Sequence, residues 1–216
     1  MKNSMIRTAA AALATGLICL AAPASAEELK LSANVGLVSD YVFRGFSQTS
    51  ENAAIQGGVD ATYGSFYAGA WASTVDFGDD TGAEVDVYGG YRTEAAGYAL
   101  DFGVIGYLYP KEPDGADYNY VEFKAAASRA IGPATFGAAV YYSPDFFGVD
   151  EAATYVELNG AFSPIEKVTI SGAVGQQFLD VSDDYATWNV GVTYAIDPAI
   201  GFDVRYHDTD IKGVPG

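Results

Sequence analysis

Cysteine is almost missing from this chain of 216 residues: the single one, Cys19, lies in an apolar opening stretch. Once that stretch is removed, no disulfide framework, thiolate metal site or cysteine nucleophile is left. Basic residues are scarce as well, with 11 Lys and Arg against 28 Asp and Glu, a net charge of −17. So acidic a chain argues against a nucleic-acid partner, whose phosphates need Lys and Arg. Charged residues of both signs make up only 18%, and their place is taken by 25 Gly, 16 Tyr and 12 Phe. A disordered acidic chain would lack those aromatics, so the composition implies a folded, β-rich protein.

The first 26 residues have the layout of a signal peptide. Lys2 and Arg7 give a basic start, Thr8 to Ala22 an apolar middle, and Ala24-Ser25-Ala26 an A-x-A cleavage site. The alternative is a retained membrane helix, but the apolar run is shorter than the ~20 residues a span needs, and Pro23 stands at its exit. Ile18 before Cys19 also disfavours a lipid-attachment site, where a small residue is normally required. Cleavage leaves 216 − 26 = 190 residues, 27–216, with a charge of −17 − 2 = −19, and implies export.

Beyond the leader, hydrophobicity alternates with a period of two. From Leu29 to Phe43 the odd positions include Leu31, Val35, Leu37 and Tyr41, while the even ones include Lys30, Asn34, Asp40 and Arg44. A helix would repeat every 3.6 residues, so this is a strand with one apolar and one polar face. The pattern recurs through 52–63, 65–76, 83–93, 98–109, 118–129, 134–143, 152–162, 167–178, 185–196 and 200–207, eleven strands in all. The third, around Tyr67, Gly69 and Trp71, has no clear parity because both faces are small or aromatic. Tight turns, as at Tyr63-Gly64-Ser65 and Ile131-Gly132-Pro133, alternate with longer loops rich in Asp, Gly and Pro. That is the layout of an outer-membrane barrel, with periplasmic turns and extracellular loops.

Charge placement decides which face looks outward. The acids Asp40, Asp60, Glu84, Asp86, Asp101, Glu122, Glu157 and Asp203 lie on the polar parity of their strands. So do the bases Lys30, Arg44, Arg92, Lys124, Lys167 and Arg205. A soluble barrel would crowd its outward polar face with Lys and Glu. Here the polar faces are sparse, dominated by Gly, Ser, Thr, Asn, Gln and Tyr, which suits a narrow wet lumen. The chain is therefore expected to be an all-β, antiparallel transmembrane β-barrel with these charges, excepting Glu84 and Lys167, as pore-lining candidates. Arg44, Asp40 and Asp60 are placed on adjacent strands facing inward. They form either a charged pore constriction or a salt-bridge network that stiffens or plugs the barrel.

The stretch Ser39-Asp40-Tyr41-Val42-Phe43-Arg44-Gly45-Phe46-Ser47-Gln48-Thr49, followed by Ala54-Ile55-Gln56-Gly57-Gly58-Val59-Asp60, resembles the opening of the TorF porin family. Further similarity lies in Phe66-Tyr67-Ala68-Gly69-Ala70-Trp71-Ala72-Ser73 and Tyr141-Tyr142-Ser143-Pro144-Asp145-Phe146-Phe147-Gly148. The resemblance implies an outer-membrane barrel with a pore and brings no catalytic residues with it. It also implies a closing strand that ends in an aromatic residue. Single-chain bacterial barrels have an even strand number, so the expectation is twelve strands, the last beyond Gly216.

Other chemistry is weakly supported. His207, the only histidine, lies four positions after Asp203 and beside Asp208, but no serine stands out as its nucleophile, so an enzyme is not expected. Gly57-Gly58 and Gly89-Gly90 lie inside strands and open no helix, which favours relief of crowding by packed aromatics over a phosphate cradle. The acidic stretches 76–80, 180–184 and 208–210 lack the twelve-residue loop and closing Glu of a high-affinity Ca²⁺ site, and read as solvated charge. No cofactor or metal is expected.

The expected function is passive diffusion of small hydrophilic solutes or ions across the outer membrane, with mild cation preference. The acidic loops supply that preference: fifteen acids against Lys111 and Lys212 give the extracellular mouth a net −13. The expected partners are outer-membrane lipid and lipopolysaccharide. The alternative is a closed structural or adhesive barrel whose lumen charges pair off.

Overall fold

The computed structural model describes residues 28–148, 151–180 and 182–211. The signal peptide expected over 1–26 lies outside the described residues, as do Asp150 and Lys212 of the mouth count. The described chain is all β. Its strands are β1 (Lys30–Val38), β2 (Val42–Phe43), β3 (Phe46–Ser47), β4 (Ala54–Tyr63), β5 (Phe66–Thr74), β6 (Ala83–Ala95) and β7 (Tyr98–Leu108). They continue with β8 (Tyr120–Ile131), β9 (Ala134–Phe146), β10 (Glu151–Ile165), β11 (Val168–Leu179), β12 (Tyr185–Ala195) and β13 (Gly201–Thr209).

Eleven of them form one antiparallel sheet in the order β1-β4-β5-β6-β7-β8-β9-β10-β11-β12-β13, so each strand bonds to the next long strand in sequence. These are the eleven segments expected from the period-two pattern. Each has 9 to 15 residues, against the about 9–11 that a tilted membrane strand needs. β9 and β10 run past the expected ends, and Lys167, expected inside a strand, stands in the turn between β10 and β11. Register shifts interrupt β10 at its pairing with β9, between Glu151 and Ala153, and with β11, between Phe162 and Ile165. Among the described residues β1 and β13 are the edges of the sheet, with no ladder between them.

The first expected strand is corrected. The pattern over 29–44 suggests one strand through Arg44, but β1 ends at Val38, and the chain then folds back as the small separate hairpin β2–β3. The sheet curls around this hairpin. Tyr41 packs on Trp71 of β5, Phe43 on Tyr107 of β7, and Phe46 on Tyr185 of β12. Arg44 meanwhile reaches β8 and β11. Only a sheet bent into a trough or tube brings so many of its strands to one six-residue turn.

The two faces of the curled sheet differ as the alternation requires. Large apolar side chains on the outer parity are exposed on every long strand, from Val35 and Leu37 (82% exposed) on β1 to Phe202 and Val204 on β13. The inner parity carries the buried polar groups, including Gln56, Glu84, Asp101, Glu122, Glu157 and Gln177. β5, whose parity the sequence leaves open, turns Trp71 and Ser73 inward. Trp71 is inward because the interior has an apolar patch of its own, made by Tyr41, Ala54 and Val75.

Candidate functional site

The hairpin is specified by its turn. Phe43-Arg44-Gly45-Phe46 has positive φ at both central residues, +46° at Arg44 and +87° at Gly45. This is the primed turn that matches the twist of two short antiparallel strands. Glycine is required at 45 for a second reason: a Cβ there would lie 2.9 Å from Thr209 Cβ and 3.1 Å from Thr187 Oγ1. The turn is pressed against the wall at β12 and β13. Arg44 has no such freedom, and a left-handed conformation costs an ordinary residue about 1–2 kcal/mol, which its side-chain contacts must offset. The base of the hairpin is tied locally. The Gln48 N–H donates to Tyr41 O (2.6 Å), the Ser47 and Thr49 hydroxyls both donate to Asp40 Oδ1, and the Asp76 N–H donates to Gln48 O.

Arg44 is the centre of the site. It is 8% exposed, and its partner Glu122 only 1%. Nη1 donates to Glu122 Oε1 at 2.7 Å and Nη2 to Oε2 at 2.8 Å, a two-pronged pair that adds directional specificity to charge attraction. Nη1 also donates to Gln177 Oε1 at 3.1 Å. The guanidinium carbon lies over three rings, at 4.3 Å from the Tyr155 centroid, 4.7 Å from Phe43 and 5.2 Å from Tyr141, all within cation–π range. Tyr107 OH donates to Glu122 Oε2 and holds the carboxylate in place. Tyr155 can lean over the interior because Gly175 on β11 lies beneath its ring, where any Cβ would collide with it.

The other charged residues of the inner parity divide by height. Near the long-loop end, Glu84 and Asp86 of β6 are buried, and Glu84 accepts from Tyr41 OH of the hairpin segment. Glu157 of β10 accepts from Asn159. Towards the turn end the bases gather. Asp101 accepts from Tyr67 OH (2.7 Å), Lys124 (2.9 Å) and Arg92 (3.3 Å). Arg205 bonds Asp203, Asn189 and Ser171. Lys30 is exposed at the start of β1. The interior is thus acidic under the loops, with Arg44 as the cation inside the acid group, and more nearly balanced near the turns.

The expected trio of Arg44, Asp40 and Asp60 is not brought together. Asp60 accepts from Tyr88 OH, Asp40 from Ser47 and Thr49, and Arg44 pairs with Glu122 instead. The trio requires 39–44 to be strand, and the inward fold after Val38 moves Arg44 across the interior. Gln177, Tyr141, Tyr155 and Tyr107 are site residues that the sequence reading misses. Glu122 and Gln177 lie 78 and 133 residues from Arg44 in sequence, and no local pattern links them.

His207 is half-buried on β13, on the same strand parity as Asp203 and Arg205. The Ser47 hydroxyl is committed to Asp40. Among the described residues no group of three or more His, Cys, Asp or Glu is arranged to hold a metal ion. In the loops, the Thr81 backbone N–H donates to Asp79 (2.7 Å) and, with Tyr118 OH, holds that carboxyl below the ordinary carboxylate range.

A family model described as a bacterial protein of unknown function (Gcw_chp) matches residues 21–214. Among curated proteins none matches. A solved porin structure, refined at 1.8 Å resolution, is similar at 16% identity and a TM-score of 0.44 over 74% of this chain and 57% of that one. The chain therefore spans less than two thirds of that porin's length.

Proposed function

The chain belongs to this bacterial family of unknown function (Gcw_chp), and from the geometry of its interior we propose that it is an outer-membrane β-barrel porin shut at rest by its own hairpin. Small hydrophilic solutes and ions pass when the segment 39–49 leaves the lumen. The membrane reading is supported by apolar side chains exposed on the outer parity of all eleven long strands, far more than the few hundred Å² of apolar patch that a water-soluble monomer tolerates. Closure into a barrel is supported by the hairpin's reach to the far edge of the sheet, where Gly45 lies against Thr187 of β12 and Thr209 of β13. In lipid, the free backbone groups of both edges must be satisfied, directly between β1 and β13 or through one further strand, at a penalty of several kcal/mol for each group left unpaired. Export through the periplasm places the turns inside and the acidic loops outside, against lipid and lipopolysaccharide.

The observation that carries the gate is the buried Arg44–Glu122 pair. An apolar hairpin would seal the lumen equally well, because a buried ion pair adds little stability over packed hydrophobic groups. Buried charges are best attested where register or switching matters, and a charged latch suits a plug that has to leave. A second reading, a permanently closed structural or adhesive barrel, is favoured by the complete burial of Gln177 and Glu122 beside the hairpin. No covalent chemistry or cofactor is assigned under either reading.

Planar-bilayer recording of the full chain tests the pore: infrequent stepwise openings are expected, and a current that stays at baseline at all voltages favours the closed barrel. When open, the pore should prefer cations, because acids dominate its loop end and Asp79 stays ionised to lower pH than an ordinary aspartate. The preference should weaken as salt rises, since the potential extends only about 10 Å at 0.1 M. A reversal potential showing anion preference at low salt would contradict the assignment.

A further inference from the structure

We propose that the inner wall carries a binding site for guanidinium cations, that Arg44 occupies it as a tethered ligand, and that a solute bearing a guanidinium group competes for the same place. The site itself stands on the wall geometry; the consequence that such a solute loosens the plug rests on the shut-pore reading above.

Most of the cage belongs to the wall. Glu122 on β8 supplies the carboxylate fork, Gln177 on β11 a carbonyl oxygen, and Tyr141 on β9 and Tyr155 on β10 the ring faces. Only the Phe43 ring comes from the hairpin. Four consecutive strands, paired without interruption along the stretch of β10 from Ala153 to Phe162 that carries Tyr155, therefore keep these groups in position whether or not Arg44 is present. Tyr107 OH on Glu122 and Gly175 beneath Tyr155 fix the carboxylate and one ring independently of the hairpin.

The chemistry of the cage selects a planar, delocalised cation. A two-pronged carboxylate and flanking aromatic faces match the fork and the flat face of a guanidinium, which also sheds water more easily than an ammonium. Vacated, the site would hold a buried carboxylate without its counter-charge, the condition that most strongly draws a cation in. Gln177 carries a second, unspent group: its Nε2 is buried without an acceptor. A solute with an acceptor next to its guanidinium group would satisfy that nitrogen, which Arg44 does not.

A tether of this kind presents Arg44 at an effective concentration on the order of millimolar, so the free ligand binds the wild-type chain weakly and gains once the tether is cut. Titration calorimetry of the full chain refolded in detergent micelles, with methylguanidinium as the probe, measures this. Arg44→Ala should bind it at least about tenfold more tightly than wild type. Adding Glu122→Gln should remove that gain, and methylammonium should bind Arg44→Ala more weakly than methylguanidinium does. Circular dichroism reports whether each variant keeps its sheet. Should Arg44→Ala fail to fold, Arg44→Lys serves in its place, because a lysine cannot span the carboxylate fork and should yield to methylguanidinium more readily than Arg44. Equal affinity in wild type and the substituted chain, or no effect of Glu122→Gln, overturns the site. Bilayer recordings report the pore separately: binding as stated in a silent protein keeps the site and discards the pore, and conduction without the affinity difference does the reverse.

Discussion

Glu122→Ala is expected to destabilise the folded chain by about 3–5 kcal/mol, because it leaves Arg44 charged and buried without its counter-ion. Gln177 offers one carbonyl oxygen at 3.1 Å and the rings offer their faces, but among the described residues no other carboxylate bonds the guanidinium. The full cost applies if the hairpin stays in place. If the hairpin swings out, Arg44 recovers water and the loss is smaller, but the segment 39–49 then becomes open to protease. Replacing both partners with apolar residues of similar volume, Arg44→Met with Glu122→Leu, should restore stability to about the wild-type level, since packing replaces a pair whose desolvation cost offset its attraction. Urea unfolding in lipid vesicles, read alongside limited proteolysis, checks both. A single Glu122→Ala variant as stable and as protease-resistant as wild type would show that the pair does not hold the hairpin.

The second large effect concerns the outer face. Val190 lies at the centre of β12, 53% exposed, opposite Gly172 on β11 and Tyr206 on β13. On the proposed membrane reading, Val190→Lys puts a charge near the bilayer midplane and should cost about 2–4 kcal/mol, enough to block assembly into lipid. Thr193→Lys, three residues on and facing inward, meets Asp203, which Thr193 already bonds at 2.6 Å, and should fold nearly as well as wild type. Gly191 is not a usable control, because Arg205 fills the space its side chain would need, with Cζ 2.8 Å from where a Cβ would stand. Folding yields into vesicles, scored for both lysine variants, should differ sharply. Equal tolerance at 190 and 193 would mean that the outer face does not meet lipid.

The strands are legible because an apolar outer face and a polar inner face impose a strict period of two, and sequence displays that period directly. The same rule hides the hairpin. Over 39–44 the alternation of Ser39, Tyr41 and Phe43 with Asp40 and Arg44 continues that of β1, and two strands of two residues have the period of one long strand. The turn signal is an arginine before Gly45 in place of the usual asparagine or aspartate. The hairpin's apolar residues also break the premise that the polar parity alone lines the lumen. Tyr41 and Phe43 are apolar yet point into the interior, where Trp71 and Tyr107 receive them. β5 is unreadable for the same reason, since an inward Trp71 has no meaning until a plug is there to pack against it. The Arg44 cage depends on the register of strands far apart in sequence, so its carboxylate shows in the sequence only as one of many inward acids, and its rings and amide do not show at all.

Whether the segment 39–49 blocks an existing passage decides between a gated pore and a closed barrel. The direct measurement is single-channel current, in the same bilayer and salt, for the wild-type chain and for one in which residues 40–48 are replaced by a glycine–serine linker of equal length. Infrequent, brief openings are expected from wild type, and long-lived openings with a much larger current from the linker variant. Equal currents from the two chains, whether both conduct steadily or both stay silent, would contradict the claim that the hairpin is what closes the lumen.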